Sequence, residues 1–130
     1  MSDWLLYQPK SIESIINELG DIPRPEHPRP DRFRPDWINL NGVWEFAFDP
    51  CNIGLDEKWY ERKFNGNIVV PFCPESVLSG IYDENFHTVC WYARSFDMPG
   101  DFQGQRILLH FGAVDYKTDV WLNGKHLGQH

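Results

Sequence analysis

Among the residues of this chain that could do chemistry, the carboxylates come first. Glu75, Asp83 and Glu84 fall in one stretch between Pro71 and Phe86, and Asp115 and Asp119 flank a later turn. Two carboxyls about 5 Å apart, one with a raised pKa, can share the work of proton donor and nucleophile. Acids on loops are more often plainly solvated, and Asp flanks turns because its side chain hydrogen-bonds the local backbone. No catalytic residue is therefore assigned. His27, His87, His110, His126 and His130 show no metal-binding pattern. His126 and His130 stand four apart, but that spacing converges on a helix and not at a strand end. A glycine-rich phosphate loop, a Ser-His-Asp signature and a Cys-His pairing are all missing, so no metal and no cofactor are expected.

The second group is aromatic. Trp59, Trp91, Tyr116 and Trp121 offer flat faces for ligands, against the plainer reading that each fills a core or a contact between domains. With 130 residues, 42% hydrophobic and 15% aromatic, the chain is too apolar for a disordered tail and long enough for one domain with a real core. Its net charge of −7 argues against nucleic acid or an anionic membrane as partner. There is no signal-peptide pattern and no run near the roughly 20 apolar residues of a membrane span, so a soluble, cytoplasmic chain is expected. Cys51, Cys73 and Cys90 are odd in number, widely spaced and without a Cys-x-x-Cys pair, which reads as buried free thiols.

The elements that must position these groups are mostly strands. Ile12, Ile15, Ile16 and Leu19 keep helical spacing between Ser11, a start cap, and Gly20, a stop. Prolines at 23, 25, 28, 30 and 35 predict an extended strap over 22–35, with a proline-rich ligand as the weaker alternative. After Gly42, alternation puts Trp44, Phe46 and Phe48 on an inner face. Ile68-Val-Val reads as a short strand stopped by Pro71, and 72–86 as a long functional excursion. Strands are predicted again from Trp91, over 106–111 with Ile107, Leu109 and Phe111 on one face, and over 118–122. Asn123-Gly124 is suited to a two-residue type I′ hairpin, which would set Leu122 opposite Lys125, Trp121 opposite His126 and Val120 opposite Leu127. The whole predicts an all-β antiparallel sandwich with one short N-terminal helix.

Several segments, in order, carry a resemblance: Arg24-Pro-Glu-His-Pro-Arg-Pro, Leu40-Asn-Gly-Val-Trp-Glu-Phe, Val70-Pro71, Trp91-Tyr-Ala-Arg-Ser-Phe, Leu109-His-Phe-Gly-Ala-Val-Asp-Tyr and Val120-Trp-Leu-Asn-Gly-Lys-His-Leu-Gly. Together they resemble the N-terminal sugar-binding domain of glycoside hydrolase family 2, over about 24–130. The resemblance implies a jelly-roll, galactose-binding-like sandwich, here incomplete, at 23–130, behind a helical extension at 1–22. It implies a parent that hydrolyses β-linked sugars such as galactosides or glucuronides, whose two catalytic glutamates lie on a barrel not present in this chain. The fragment alone is then expected to be inactive. Its partners would be carbohydrate, through the parent, and the missing C-terminal domains. Open strand edges would favour self-association. In such proteins the loop after Val-Pro can approach the active site, which makes Glu75 and Ser76 the candidate substrate contacts. The alternative is a free-standing carbohydrate-binding or protein-interaction module.

Overall fold

Ser11 begins the first element as a cap: its Oγ accepts the Ser14 N–H at 3.2 Å, and the helix α1 (Ile12–Leu19) follows. Gly20 closes it, its N–H reaching Ile16 O at 2.8 Å. A computed structural model describes residues 10–26, 31 and 34–130. His27, Pro28 and Pro30 of the expected strap, and residues 1–9 of the extension, lie outside the described residues. The apolar stripe of α1 is spent on packing. Ile15 is fully buried, and the tip of Ile12 sits only 2.5 Å from where a Cβ on Gly80 would stand.

Strand β1 (Gly42–Phe48) is the centre of a three-stranded antiparallel sheet, with β2 (Gly66–Val70) on one side and β3 (Cys90–Ala93) on the other. The register sets Trp44 opposite Ile68 and Phe46 opposite both Gly66 and Tyr92. Phe46 is 3% exposed and takes Phe48 and Tyr92 edge-on at 4.9 and 5.0 Å. The aromatic inner face read from alternation is therefore the core of this sheet. Ile68 and Val69, successive residues on opposite faces, are both buried, so β2 is covered on both sides. Arg94, just past β3, donates to the carbonyls of Leu40 and, at 2.9 Å, Asn41, tying the entry of β1 to the exit of β3.

A second, two-stranded sheet pairs β4 (Asp119–Leu122) with β5 (Lys125–Gln129). Asn123 and Gly124 take φ of +50° and +78°, the paired positive values a type I′ turn needs. The two predicted pairs nearest the turn form, Leu122 with Lys125 and Trp121 with His126. The third does not: Val120 lies opposite Gly128 and not Leu127. A bulge between Val120 and Trp121 shifts the ladder by one residue, and a flexible Gly at 128 accepts the shift.

Three further expectations are corrected. No strand forms over 106–111, and β3 ends at Ala93 without reaching Phe96. Ile107, Leu108, Leu109 and Phe111 are all exposed, Leu108 at 60%. Alternation fixes which side chains share a face, but a strand also needs a neighbour for its backbone, and among the described residues this run has none. Among the described residues His110 meets Trp37 with ring centroids 5.4 Å apart. Cys51, Cys73 and Cys90 are exposed, not buried. They stand in a turn, in the loop after β2 and at the first residue of an edge strand. The described architecture is antiparallel sheets with one short helix, an all-β fold.

Candidate functional site

The site is built outward from Asp49. This carboxylate follows β1, is 1% exposed, and accepts hydrogen bonds from Ile53 N at 2.9 Å, Gly54 N at 2.8 Å and the Trp91 indole Nε1 at 3.1 Å. Burial alone would raise its pKa. The bonds from Ile53, Gly54, Trp91 and Asn52 outweigh it and hold the carboxyl below its ordinary value. Asp49 thus folds the turn 49–54 beneath Trp91 and orients that indole. Gly54 is required by contact, since a Cβ there would lie 2.4 Å from Trp91 Nε1.

From Trp91 the rings run in both directions. Trp121 of β4 stacks on Trp91 with centroids 5.4 Å apart, and Tyr60 lies parallel to Trp121 at 5.2 Å and 5°. On the other side Trp59 meets Trp91 at 6.1 Å and Phe64 at 6.0 Å. The series Tyr60, Trp121, Trp91, Trp59, Phe64 therefore joins the two-stranded sheet to the three-stranded one. Three of the four aromatic candidates, Trp59, Trp91 and Trp121, come together. The fourth, Tyr116, is 92% exposed and takes no part. Tyr60 was missed; its only signal was its place directly after Trp59.

Beside Trp59 the surface opens into a recess of about 300 Å³ lined by Phe46, Ala47, Trp59, Arg62, Lys63, Phe64, Asn65 and Gly66. Its geometry is fixed by Glu57, one oxygen of which accepts from Trp59 Nε1 at 3.0 Å and from Arg62 Nη2 at 2.5 Å. These two bonds, Trp59's first, hold the Glu57 carboxyl below its ordinary pKa. The Arg62 guanidinium in turn lies over the Trp59 ring, 5.2 Å from its centroid. Glu45 secures the far wall by accepting Phe64 N–H at 3.0 Å.

The predicted contact residues lie elsewhere, in the loop after β2. Ser76 Oγ accepts Leu78 N–H at 3.2 Å and caps a single 3₁₀ turn, Val77–Ser79, while Glu75 is exposed. Buried Ser79 knits this loop, donating to Ser76 O at 2.7 Å and accepting from Ile81 N at 3.0 Å, and Asp83 N reaches back to Pro74 O at 3.0 Å. Asp83 accepts from Asn85 and from His87 Nε2, bonds that lower its pKa, and His87 stacks on Phe48 at 3.7 Å. Asp119 accepts from Gln129 and His126, which likewise lower its pKa, Gln129 first. Each of these two acids is held as a carboxylate by structural partners, the reverse of what a proton donor requires. Among the described residues no group of three or more His, Cys, Asp or Glu is placed to hold a metal ion, and no helix there is long and apolar enough to cross a membrane.

No protein-family model matches the chain. It is 30% identical over 95 residues to a β-glucuronidase of Paenibacillus borealis, covering 71% of this chain and 16% of that protein. A β-galactosidase of Thermoanaerobacter pseudethanolicus is 23% identical over 103 residues, 75% of this chain and 12% of that protein. The β-glucuronidase of Canis lupus familiaris is 28% identical over 112 residues, 78% of this chain and 17% of that protein. The chain therefore spans less than a fifth of the length of these curated relatives. The relationship is to glycosidases, and the matched stretch is a small part of each of those proteins.

Proposed function

We propose that this chain is the N-terminal, non-catalytic sandwich part of a family 2 glycoside hydrolase that cleaves a β-linked sugar, of the glucuronidase or galactosidase type, in carbohydrate metabolism. The observation that carries the reading is the match of most of this chain to about a sixth of a β-glucuronidase. Supporting it, two antiparallel sheets lean together through an aromatic seam, the kind of contact that makes two layers one body. In this reading residues 23–130 form the sandwich part behind an N-terminal extension at 1–22, the protein is cytoplasmic, and its work is to buttress a catalytic barrel and help shape its pocket. Glu75 and Ser76 are the proposed substrate contacts. The knitted loop supports this, since Ser79 and the Ser76 cap hold the segment in one shape while leaving the Glu75 carboxylate exposed.

The test compares this chain with a longer form that carries a catalytic barrel, each incubated with chromogenic β-glucuronide, β-galactoside and β-mannoside. The expected result is turnover by the longer form on one of the three and none by this chain. Turnover by this chain alone, or none by the longer form, overturns the reading.

A further inference from the structure

The N-terminal extension packs on the loop that carries Glu75 and Ser76, a contact that the buttressing role does not use. Ile15 of α1 is fully buried, and the Cδ1 atoms of Ile12 and Ile15 lie 2.5 and 3.5 Å from where a Cβ on Gly80 would stand. Two isoleucines on one face of the helix thus converge on one glycine. Gly80 has φ +81° and ends the 3₁₀ turn Val77–Ser79, its N–H donating to Val77 O at 3.2 Å. A side chain there would be strained and would push the helix away. The extension is tied at its other end as well. Pro23 is fully buried, and its carbonyl accepts Asn41 Nδ2 at 3.0 Å, directly before β1. The loop's internal bonds, from Ser79 Oγ to Ser76 O and from Asp83 N to Pro74 O, fix its shape. Its place is set at one end by β2, at the other by His87 stacked on Phe48, and in the middle by α1.

We propose that α1 is a clamp on this loop, with Ile12 and Ile15 as positioning residues that act through Gly80 to hold Ser76 and Glu75 where a sugar meets them. The inference rests on the proposed role of Glu75 and Ser76, and adds that a segment ahead of the sandwich part controls it. The route is short. Ile12 and Ile15 press on Gly80, the N–H groups of Gly80 and Ser79 return to Val77 O and Ser76 O, and Ser76 Oγ caps the same turn beside Glu75. A turn seated on a buried helix face has little ordering left to do when substrate arrives, and a contact ordered in advance binds more tightly. Loosening the clamp weakens the ground state and the transition state alike, which falls on KM and spares kcat.

The experiment measures amide hydrogen exchange by NMR on this 130-residue chain in three variants. Ile12→Ala removes the contact, Ile12→Val removes only the Cδ1 seated on Gly80, and Ile12→Met keeps an unbranched side chain that still reaches it. The amides followed are Ser79, Gly80 and Asp83, each a donor inside the loop, with β4 and β5 as the reference. Ile12→Ala should speed exchange in the loop by about tenfold with little change in β4 and β5. Ile12→Val should give the same pattern at smaller size, and Ile12→Met should restore most of the protection. In a longer form that carries a catalytic barrel, Ile12→Ala should raise KM severalfold while kcat changes far less, and Ile12→Met should bring KM back. Loop exchange that in both Ile12→Ala and Ile12→Val rises no more than that of β4 and β5, or a KM that does not follow the loop, would overturn the proposal. The two readings fail separately: absence of turnover by the unsubstituted longer form removes the glycosidase reading, while exchange in this chain decides the clamp.

Discussion

Two stretches of this chain carry the same strand pattern and meet different fates. Residues 42–48 alternate Trp44, Phe46 and Phe48 with smaller or polar groups, and they become the central strand of a sheet. Residues 106–111 also set Ile107, Leu109 and Phe111 on one face, yet find no strand partner among the described residues and leave these side chains exposed. The difference lies in what flanks each backbone. Around β1 stand two partner strands, a guanidinium on the carbonyls before it, and the Asp49 knot after it. Around 106–111, among the described residues, the ring contact is one imidazole on one indole. Periodicity states which face is apolar, while strand formation is decided by hydrogen-bonding neighbours and by side chains long enough to bridge layers.

The sharpest way to break this contrast is at Asp49. Asp49→Ala leaves Ile53 N–H, Gly54 N–H and the Trp91 indole without their acceptor in a buried place, and should cost about 3 kcal/mol or more in urea unfolding. The same carboxylate gives an acid signature. Its folded pKa lies below the ordinary 3.8, so its stabilisation is fully present above that value and is lost as pH falls through the lower folded one. Unfolding midpoints measured below about pH 4 should fall less steeply in Asp49→Asn than in the parent. Asp83 and Asp119 share the direction, so the slope shrinks without vanishing. A slope unchanged by the substitution would place the acid sensitivity elsewhere.

Gly54→Ala comes next. Its methyl would meet the Trp91 indole 2.4 Å away, and overpacking of this kind costs about 1–3 kcal/mol. Because Trp91 carries Trp121, hydrogen exchange in β4 and β5 should accelerate more than in β1, which reports whether the seam couples the sheets. The smallest effect belongs to the other region: Leu108→Ser should move stability by no more than about 0.5 kcal/mol. It should instead reduce self-association in sedimentation, since an exposed apolar run is a template for pairing. A large loss of stability there would mean that 106–111 is held by more than one ring contact.

Local features were legible in the residues themselves. The cap and stripe of α1, the aromatic face of β1, the stop at Pro71 and the Asn123-Gly124 turn each depend on neighbours within a few positions, and each formed. What could not be read depends on distance or on count. Trp59, Trp91 and Trp121 are separated by about thirty residues each, and nothing in that spacing says that they touch. The bulge at Val120 is a one-residue slip that alternation cannot anticipate. The cysteines were misplaced because small apolar side chains are usually covered, and these stand in a turn, a loop and at the start of an edge strand. For the site, the aromatic half was visible as residue types. The Glu57 bridge emerged only when side chains were placed.

The stacked indoles have an optical consequence. Trp91 and Trp121 lie close enough, at 5.4 Å and 30°, for their electronic transitions to couple. Their joint signal in circular dichroism belongs to the pair and disappears when the pair separates. One ring comes from each sheet, so that band reports the closing of one sheet on the other directly, in the unlabelled protein.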